Sequence, residues 1–471
     1  MNRTGGQPPS IVWFRDDLRM ADHPALHAAV GRGAPLVLLF LLDEVSDEIR
    51  PLGGASRWWL HGSLASLGER VAALGGQLVL RRGAAEEVIP DVVEETRAGA
   101  VFWNRRYGAS RDIDARLKTR LRADGLEVRS FSANLLVEPW TVTTEQGNPY
   151  QVFTPFWRAA QQRPMREPLP TPDRLAGPAV EGDTLDDWML LPSDPDWAAG
   201  LRAAWTQGEA DAARRLEDFA TGILINYHRR DEPAQPVTSL LSPSLRFGEV
   251  SPTQVWHRLH GSLAPPARRN TAKFLSELGW REFNHSVLFH QPDLATRNHR
   301  ATFDAFPWNS PDPSELRAWQ RGRTGIPLVD AGMRELWTTG YMHNRVRMVT
   351  ASFLVKNLLV DWRVGEQWFW DTLVDADEAS NPGNWQWVAG SGADAAPYFR
   401  VFNPVVQAAK FDPDSEYLRR WIPELGTDEY PEPIVDLAAT RLEALAAYEH
   451  VRSRQARPPA ARPPAARPPA V

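Results

Sequence analysis

The chain contains no cysteine among its 471 residues. This absence excludes disulfides, cysteine nucleophiles, iron–sulfur clusters and zinc sites built on cysteine. No apolar run is long enough to cross a bilayer, so we expect no membrane-spanning segment. The N-terminal sequence MNRTGGQPPSIVWF lacks the basic start and apolar stretch of a secretory signal, and we therefore expect a cytoplasmic protein.

The chain also lacks an excess of positive charge. Its formal net charge is −6, so binding of nucleic acid would require a local basic patch. Hydrophobic residues make up 43% and charged residues 24%, which is usual for a soluble globular protein of about two or three domains. The unusual number is 20 tryptophans against 8 tyrosines. Tryptophan buries a large area but its N–H needs a partner, so this excess hints at flat ligands.

The first third of the sequence alternates continuous apolar runs with amphipathic stretches, which is typical of a doubly wound parallel sheet. The runs predicted as buried strands are Ser10–Phe14, Pro35–Leu42, Gln77–Leu80, Ala100–Trp103 and Glu127–Phe131. The helices predicted between them are Ala25–Gly31, Ser56–Leu74, Ala84–Arg97 and Ser110–Asp124. No G-x-G-x-x-G follows the first run, so any dinucleotide is expected to bind outside this α/β domain.

Four regions are predicted along the chain. Residues 1–133 form the α/β domain, and residues 134–200 form a connector whose stretch Gln161–Leu191 is rich in proline and aspartate and is expected on the surface. Residues 201–450 are predicted to be all helical, with one helix at Leu328–Thr339 and the next at Met342–Leu359. Residues 451–471 repeat ARPPA three times, and a plain low-complexity tail is favoured over one whose arginines contact nucleic acid.

One face of a predicted helix carries polar and apolar residues together: Asn344, Arg347, Met348 and Ala351, at i, i+3, i+4 and i+7. Buried asparagine and arginine need partners, so these residues either pair inside the protein or line a ligand pocket. The spacing does not decide between the two. Arg345 lies on the adjacent face and is placed to share the same groove.

The segment Asp375–Asn381, DADEASN, places two carboxylates two residues apart and allows three interpretations. Helix capping is favoured. Calcium binding is disfavoured, because Ala379 and Ser380 stand where an EF-hand loop has an oxygen ligand and a glycine. The third interpretation is that the carboxylates bind ribose hydroxyls or a flavin ring N–H.

Two further segments each have a structural and a functional interpretation. Three hydroxyl side chains cluster where a helix is expected to begin: Thr238, Ser239 and Ser242. They either cap that helix or bind a phosphate at its N-terminus.

In FLSELGWREFN, Glu277 and Arg281 have the spacing of an i,i+4 pair. They form either a surface salt bridge or, together with Trp280 between them, a group of side chains that binds a base.

The segment Asn381–Pro404, NPGNWQWVAGSGADAAPYFRVFNP, is rich in glycine and proline and is predicted to be a loop. It nevertheless carries two indoles, Trp385 and Trp387. Indoles in a loop indicate either a flat partner on which to stack or a path for electrons.

Together these segments resemble the photolyase/cryptochrome family. The motifs that carry the resemblance are IVWFRDDLRMADHPAL, TSLLSPSLRFGEVSP, ELGWREF, GIPLVDAGMRELWTTGYMHNRVRMVTASFLVKNLLVDW and DADEASNPGNWQWVAGSGADAAPYFRVFNP. The match extends from Ile11 to about Leu425 and is most similar to bacterial cyclobutane pyrimidine dimer photolyases. The stretches NRRY, LLVEPWTV and YQVFTPFWRAA are similar to the class III branch, near plant cryptochromes.

The resemblance implies an antenna domain at residues 1–133 and a U-shaped FAD in the helical domain at residues 201–450. It assigns one set of residues to FAD: Tyr227, Thr238, Ser239, Leu240, Leu241, Ser242, Arg281, Asn344, Arg347, Asp375, Ala376, Asp377 and Asn381. Asn381 would face flavin N5 and stabilise reduced forms of the cofactor. A one-residue shift is needed to align Tyr227.

A second set is implied to bind DNA and the lesion: Arg230, Glu277, Trp280, Asn344, Arg345, Met348, Trp387 and Gln407. Trp387 and Trp280 would form the two walls around a flipped-out pyrimidine dimer. Glu277 would share a proton with a pyrimidine carbonyl. The catalytic set implied by the resemblance is Glu277 and Asn381, together with a tryptophan chain for photoreduction: Trp385, Trp362 and Trp308. One residue is inserted near Trp308, and without the family match ordinary packing would be favoured for all three indoles.

The expected function is light-driven repair of cyclobutane pyrimidine dimers by electron transfer from excited, reduced FAD, in a monomeric protein whose partner is damaged DNA. The alternatives are a cryptochrome-type blue-light photoreceptor and a (6-4) photolyase. A second, antenna chromophore is also implied, with methenyltetrahydrofolate favoured and deazaflavin possible. Its residues stay unassigned, because Tyr107–Asp112 lacks a glutamate found in some folate-binding relatives.

Overall fold

The structure is a computed structural model that describes residues 7–260, 265–395 and 399–455. The ARPPA repeats lie outside the described residues. The N-terminal region contains five strands and four helices: β1 (Ser10–Phe14), α1 (Pro24–Gly31), β2 (Leu36–Leu42), α2 (Gly54–Ala73), β3 (Leu78–Arg82), α3 (Ala85–Thr96), β4 (Ala100–Asn104), α4 (Arg111–Ala123) and β5 (Glu127–Phe131). All strand pairs are parallel, in the order β3-β2-β1-β4-β5, which confirms the predicted doubly wound sheet.

The sheet creates a crevice where its strand order reverses. Strands β1, β2 and β4 are buried along their whole length, which explains their continuous apolar sequences. From β1 the chain first winds outward through β2 and β3 and then returns to place β4 on the other side of β1. A crevice therefore opens beyond the carboxyl ends of these strands, where ligands commonly bind in such sheets.

The described chain beyond the sheet comprises the connector and a helical region, as predicted. Its helices are α5 (Phe153–Ala160), α6 (Ala199–Ala204), α7 (Glu209–Asp218), α8 (Ser242–Arg246), α9 (Pro252–Leu259), α10 (Pro265–His290), α11 (Pro313–Gln320), α12 (Pro327–Thr339), α13 (Asn344–Ser352), α14 (Trp362–Thr372), α15 (Ser380–Ala389), α16 (Pro404–Phe411), α17 (Glu416–Trp421) and α18 (Leu437–Gln455). Helix α12 ends at Gly340, whose φ of +67° suits a glycine cap. The predicted single helix Met342–Leu359 is corrected, since α13 ends at Ser352 and a wider π turn, Phe353–Asn357, follows.

The predicted loop at Asn381–Pro404 is wrong in its first part, where α15 carries both indoles. Pro382 lies in the first turn of α15, where its missing N–H removes no intrahelical bond. Gly383 packs closely against α10. A Cβ at this position would lie only 2.9 Å from Oδ1 of Asn284, so a side chain here would be crowded. Proline and glycine here thus allow a helix start and a close helix contact.

One of the apolar core clusters joins the sheet to the helices. One core cluster combines β-strand residues such as Val12 with Trp205 and Phe247 of the helical region. Buried Glu249 accepts hydrogen bonds from Trp59 Nε1 (3.1 Å), Ser63 Oγ (2.5 Å) and the Gly208 backbone N–H (2.7 Å). These contacts hold α2 against the helices that line the site.

The connector is less superficial than predicted. Much of Gln161–Leu191 is exposed, but Leu175, Val180 and Trp188 are buried. The backbone N–H of Asp183 donates to the Leu80 carbonyl at 2.8 Å, beside edge strand β3. The connector therefore covers part of the sheet, because its few apolar residues find a hydrophobic surface there.

Candidate functional site

A cavity of about 510 Å³ lies among α8, α10, α13, α15 and the segment that precedes α15. Most of the predicted site residues line it: Tyr227, Arg230, Thr238, Ser239, Leu240, Leu241, Ser242, Glu277, Trp280, Arg281, Asn344, Arg345, Arg347, Met348, Asp375, Ala376, Asp377, Asn381, Trp385 and Trp387. Among the described residues, the predicted members outside this lining are Trp308, Trp362 and Gln407. The volume suits a large organic ligand.

An ion pair joins α13 to the segment before α15. Arg347 binds Asp375 through two hydrogen bonds of 3.0 and 2.8 Å, and Ser242 Oγ donates to Asp375 at 2.7 Å. Burial by itself would lower the pKa of Arg347, but the neighbouring Asp375 carboxylate raises it above its ordinary value. Arg347 thus pairs inside the protein and also lines the cavity. The polar atoms that converge here are of the kind that holds a nucleotide cofactor.

Asp377 supports the start of α15. Its Oδ1 accepts hydrogen bonds from the backbone N–H groups of Ala379 (2.8 Å) and Ser380 (2.6 Å). The N-cap residue of α15 is Ala379, which has no side-chain cap, so Asp377 fixes the turn that leads into the helix. In the described part of the chain, no group of three or more histidine and carboxylate side chains is placed to hold a metal ion.

Asn381 has its amide orientation fixed by Glu366 of α14. Its Nδ2 donates to the Glu366 backbone carbonyl (3.1 Å) and to Glu366 Oε1 (2.8 Å). Glu366 in turn binds Arg50, which precedes α2, at 2.7 and 2.9 Å. Since the amide hydrogens of Asn381 are engaged, its Oδ1 is left as the acceptor for a ligand N–H in the cavity.

The two indoles predicted as lesion walls have separate supports. Trp280 stacks on Phe153 with ring centroids 4.0 Å apart and an angle of 9° between the planes. Trp387 donates from Nε1 to the Asp394 carbonyl at 3.2 Å. Both rings are partly exposed and line the cavity, so a flat ligand has aromatic surfaces on which to stack.

The predicted pairing of Glu277 with Arg281 is wrong. Glu277 instead binds Lys273, one turn earlier on α10, at 2.7 Å. Arg281 turns towards the connector and donates to the Asn134 carbonyl at 2.7 Å. The tertiary contact outweighs the local pair, because an exposed i,i+4 ion pair contributes only about 0.3–0.5 kcal/mol.

Several polar residues of the cavity were not predicted: Asp231, Lys273, Tyr341, His343 and Asn384. Asp231 directly follows Arg230, and Lys273 lies four residues before Glu277, so their sequence neighbours were the available signals. His343 precedes α13 and accepts a hydrogen bond from the Arg345 backbone N–H at 3.2 Å. Burial lowers the pKa of His343 to about 4, which keeps this capping side chain neutral.

The three predicted electron-transfer indoles belong to or pack against one apolar cluster. Trp385 is buried, and a Cβ on Gly365 would lie only 2.2 Å from its ring, so glycine is required for this approach of α14 to α15. Buried Trp362 donates from Nε1 to Asn298 Oδ1 at 2.9 Å. Trp308 is partly exposed and contacts Phe306 with ring centroids 4.2 Å apart. Trp385 and Trp362 are thus buried, and Trp308 is the member of the three that reaches solvent.

A second cavity, of about 140 Å³, lies in the crevice beyond the carboxyl ends of β1, β2 and β4. Trp13, Arg15 and Arg106 are among its lining residues from the sheet side. Three side chains line this cavity and the larger one alike: Arg246, Arg281 and Asp377. A wall of charged side chains therefore separates the two spaces.

No helix in the described ranges is both long and apolar enough to cross a membrane.

Residues 10–173 match the family model described as DNA photolyase, and residues 274–427 match that of the FAD binding domain of DNA photolyase. The chain is 48% identical to the deoxyribodipyrimidine photo-lyase of Agrobacterium fabrum, over 94% of this chain and 98% of that protein. It is 39% identical to Cryptochrome-1 of Arabidopsis thaliana, over 88% of this chain and 63% of that protein.

Two solved structures have the same fold. A bacterial class III photolyase from Agrobacterium tumefaciens superposes with a TM-score of 0.91 at 47% identity, covering 96% of this chain and all of the other. An archaeal photolyase from Sulfolobus tokodaii that holds two FAD molecules superposes with a TM-score of 0.81 at 28% identity, covering 94% of this chain and all of that one. Similarity at this level extends through the sheet and the helical region alike.

Proposed function

Because this chain belongs to the photolyase/cryptochrome family, we propose that it uses light to repair cyclobutane pyrimidine dimers in DNA. The observation that carries the proposal is the shared cavity. Glu277, Trp280, Met348 and Trp387 line the same space as the Arg347–Asp375 pair of the predicted flavin site. A lesion and a cofactor held there would lie next to each other, as direct electron transfer requires.

The residues of the cavity would bind and orient FAD. The segment Thr238–Ser242 would take the phosphates, while Arg347 and Asp375 would flank the cofactor. Reduced FAD, when bound and excited by blue light, supplies one electron that is returned after the cyclobutane ring has opened. Asn381 Oδ1 would accept a hydrogen bond from the flavin ring, because Glu366 holds its Nδ2. The protein thus contributes position and electrostatics.

The mouth of the cavity would hold the flipped-out dimer. Trp280 and Trp387 would stack on its two faces and replace the base stacking that is lost from the duplex. Glu277 would share a proton with a pyrimidine carbonyl. Trp385, Trp362 and the partly exposed Trp308 would carry electrons from the surface to the cofactor.

A second chromophore completes the proposal. The similarity of the chain to the class III branch favours methenyltetrahydrofolate as this chromophore, with deazaflavin as the alternative. The test is to release the chromophores from purified protein by denaturation and to identify them by mass. A folate mass would support the assignment, and a deazaflavin mass would replace it.

The proposed function is tested with an oligonucleotide that carries a single thymine dimer and with protein whose flavin has been chemically reduced. Light should restore two thymines, and a dark sample should not. Protein that holds FAD but repairs no dimer in the light would contradict the proposal. The same assay on the (6-4) photoproduct would then separate a (6-4) photolyase from a photoreceptor.

A further inference from the structure

Two arginines at the edge of the large cavity share one carboxylate. Arg345 Nη2 donates to Asp231 Oδ1 at 2.9 Å, and Arg230 Nη2 lies 4.0 Å from Asp231 Oδ2. Each carboxylate oxygen therefore faces a different guanidinium. Both arginines belong to the set predicted to contact DNA, whereas Asp231 carries the charge that DNA repels.

The two guanidinium groups are held in place by aromatic rings. The Cζ of Arg345 lies 4.5 Å from the Phe411 ring centroid, and that of Arg230 lies 5.6 Å from the ring centroid of Tyr227. Among the described residues, Nε of Arg345 is buried and has no hydrogen-bond partner. The arginine positions thus have support other than Asp231, and one donor is still unsatisfied.

A carboxylate and a phosphodiester present oxygens to arginine in the same way, since both accept paired N–H donors. We propose that Asp231 occupies the position of a DNA phosphate between Arg230 and Arg345, and competes with the DNA backbone for these two side chains. This inference rests on the proposed function. On this proposal, Asp231 determines how much of the affinity for DNA comes from contacts with the DNA phosphates.

The competition has a consequence for the time that the protein spends on undamaged DNA. Phosphate contacts are made equally by damaged and undamaged DNA, and they dominate non-specific binding. An internal anion weakens this shared contribution and leaves more of the binding energy to the dimer in the cavity. The protein then stays for a shorter time on undamaged DNA.

The main test compares the wild type with Asp231→Asn, in the dark, by fluorescence anisotropy of labelled undamaged and dimer-containing oligonucleotides at several salt concentrations. Asp231→Asn should bind both roughly three- to tenfold more tightly, because one charge opposed to phosphate is removed. The slope of log affinity against log salt should become steeper by about 0.9, the value for one added phosphate contact. The matched control is Glu232→Gln, since Glu232 pairs with exposed Arg229 at 2.7 Å and should leave both quantities unchanged.

A double variant shows whether Asp231 acts through Arg345. In an Arg345→Gln background, Asp231→Asn should lose most of its effect. Three results would overturn the proposal. They are weaker or unchanged DNA binding by Asp231→Asn, an unaltered salt dependence of the affinity, or the same gain in DNA affinity in the Arg345→Gln background as in the wild type. Flavin absorbance and the urea unfolding midpoint identify any misfolded variant. If the wild type fails to repair dimers, the proposed function fails, while the comparison on undamaged DNA still decides the role of Asp231.

Discussion

Replacing Arg50 by alanine tests how the α/β region stabilises the cofactor cavity. Arg50 makes two hydrogen bonds to Glu366, whose side chain is only 3% exposed, while that of Arg50 is 25% exposed. Loss of one partner from a buried ion pair destabilises a protein by about 3–5 kcal/mol, because the remaining charge is left without compensation. Since Glu366 keeps its hydrogen bond from Asn381, the pair should contribute near the lower end, about 3 kcal/mol.

A second contact of Arg50 adds to this value. Its Cζ lies 4.1 Å from the ring centroid of Trp370, an arrangement that contributes about 0.5–1 kcal/mol. We therefore expect Arg50→Ala to reduce the free energy of unfolding by about 3–4 kcal/mol. Arg50→Met retains apolar packing on Trp370 and should lose about 3 kcal/mol.

The assay is urea unfolding of the FAD-loaded protein, monitored by circular dichroism and by flavin fluorescence. Arg82→Ala is the control, because Arg82 binds Glu44 at 3.0 Å with a side chain that is 48% exposed. Such an exposed pair contributes at most about 1 kcal/mol. If Arg50→Ala and Arg82→Ala have the same stability, the buried pair does not stabilise the cavity and the reasoning is refuted.

Three further predictions address the indoles and a buried acid. Trp387→Ala should weaken binding of dimer-containing DNA by about 1–3 kcal/mol while FAD stays bound, and loss of flavin would contradict separate roles. Trp385→Phe should stop photoreduction of FAD, yet the chemically reduced variant should still repair dimers; absence of that repair would refute the electron-transfer role. Burial raises the pKa of Glu282 from 4.5 to about 7, so between these values the folded chain holds a proton that the unfolded chain has released. The stability that this group contributes is full below about pH 4.5 and lost as the pH rises to about 7. Glu282→Gln retains an acceptor for the Leu136 and Val137 N–H groups. In urea unfolding, the fall in the free energy of unfolding between pH 5 and 8 should therefore be smaller in this variant by about 2–3 kcal/mol. If that fall is the same in the variant and the wild type, Glu282 is not its source.

Strands β1, β2 and β4 could be predicted within about one residue, because strands buried on both faces consist of continuous apolar runs. Helix α15 could not, since Pro382 and Gly383 are ordinary loop signals and the role of Gly383 depends on its contact with α10. The same limit applies to ion pairs. The spacing of Glu277 and Arg281 was correct for a pair, but the position of Asn134 in space decided the outcome.

The cavity itself was predicted largely from motifs, and its charge balance was not. Asn344, Arg347 and Met348 were placed on one face by helical spacing, and all three line the cavity. Asp231 and Lys273 were not predicted, because their only signal was their position beside Arg230 and one turn before Glu277. Their importance follows from the partners that the fold brings to them, Arg345 and Glu277.

The wall formed by Arg246, Arg281 and Asp377 has an optical consequence. These side chains border both cavities, so each space lies within the electric field of the same three charges. An anion that enters the crevice beside the sheet would polarise or shift them, and the field across the neighbouring space would change. A chromophore bound in the larger cavity would then show a Stark shift of its absorption bands. The absorption spectrum of the protein would thus depend on whether an anion is bound in the smaller cavity.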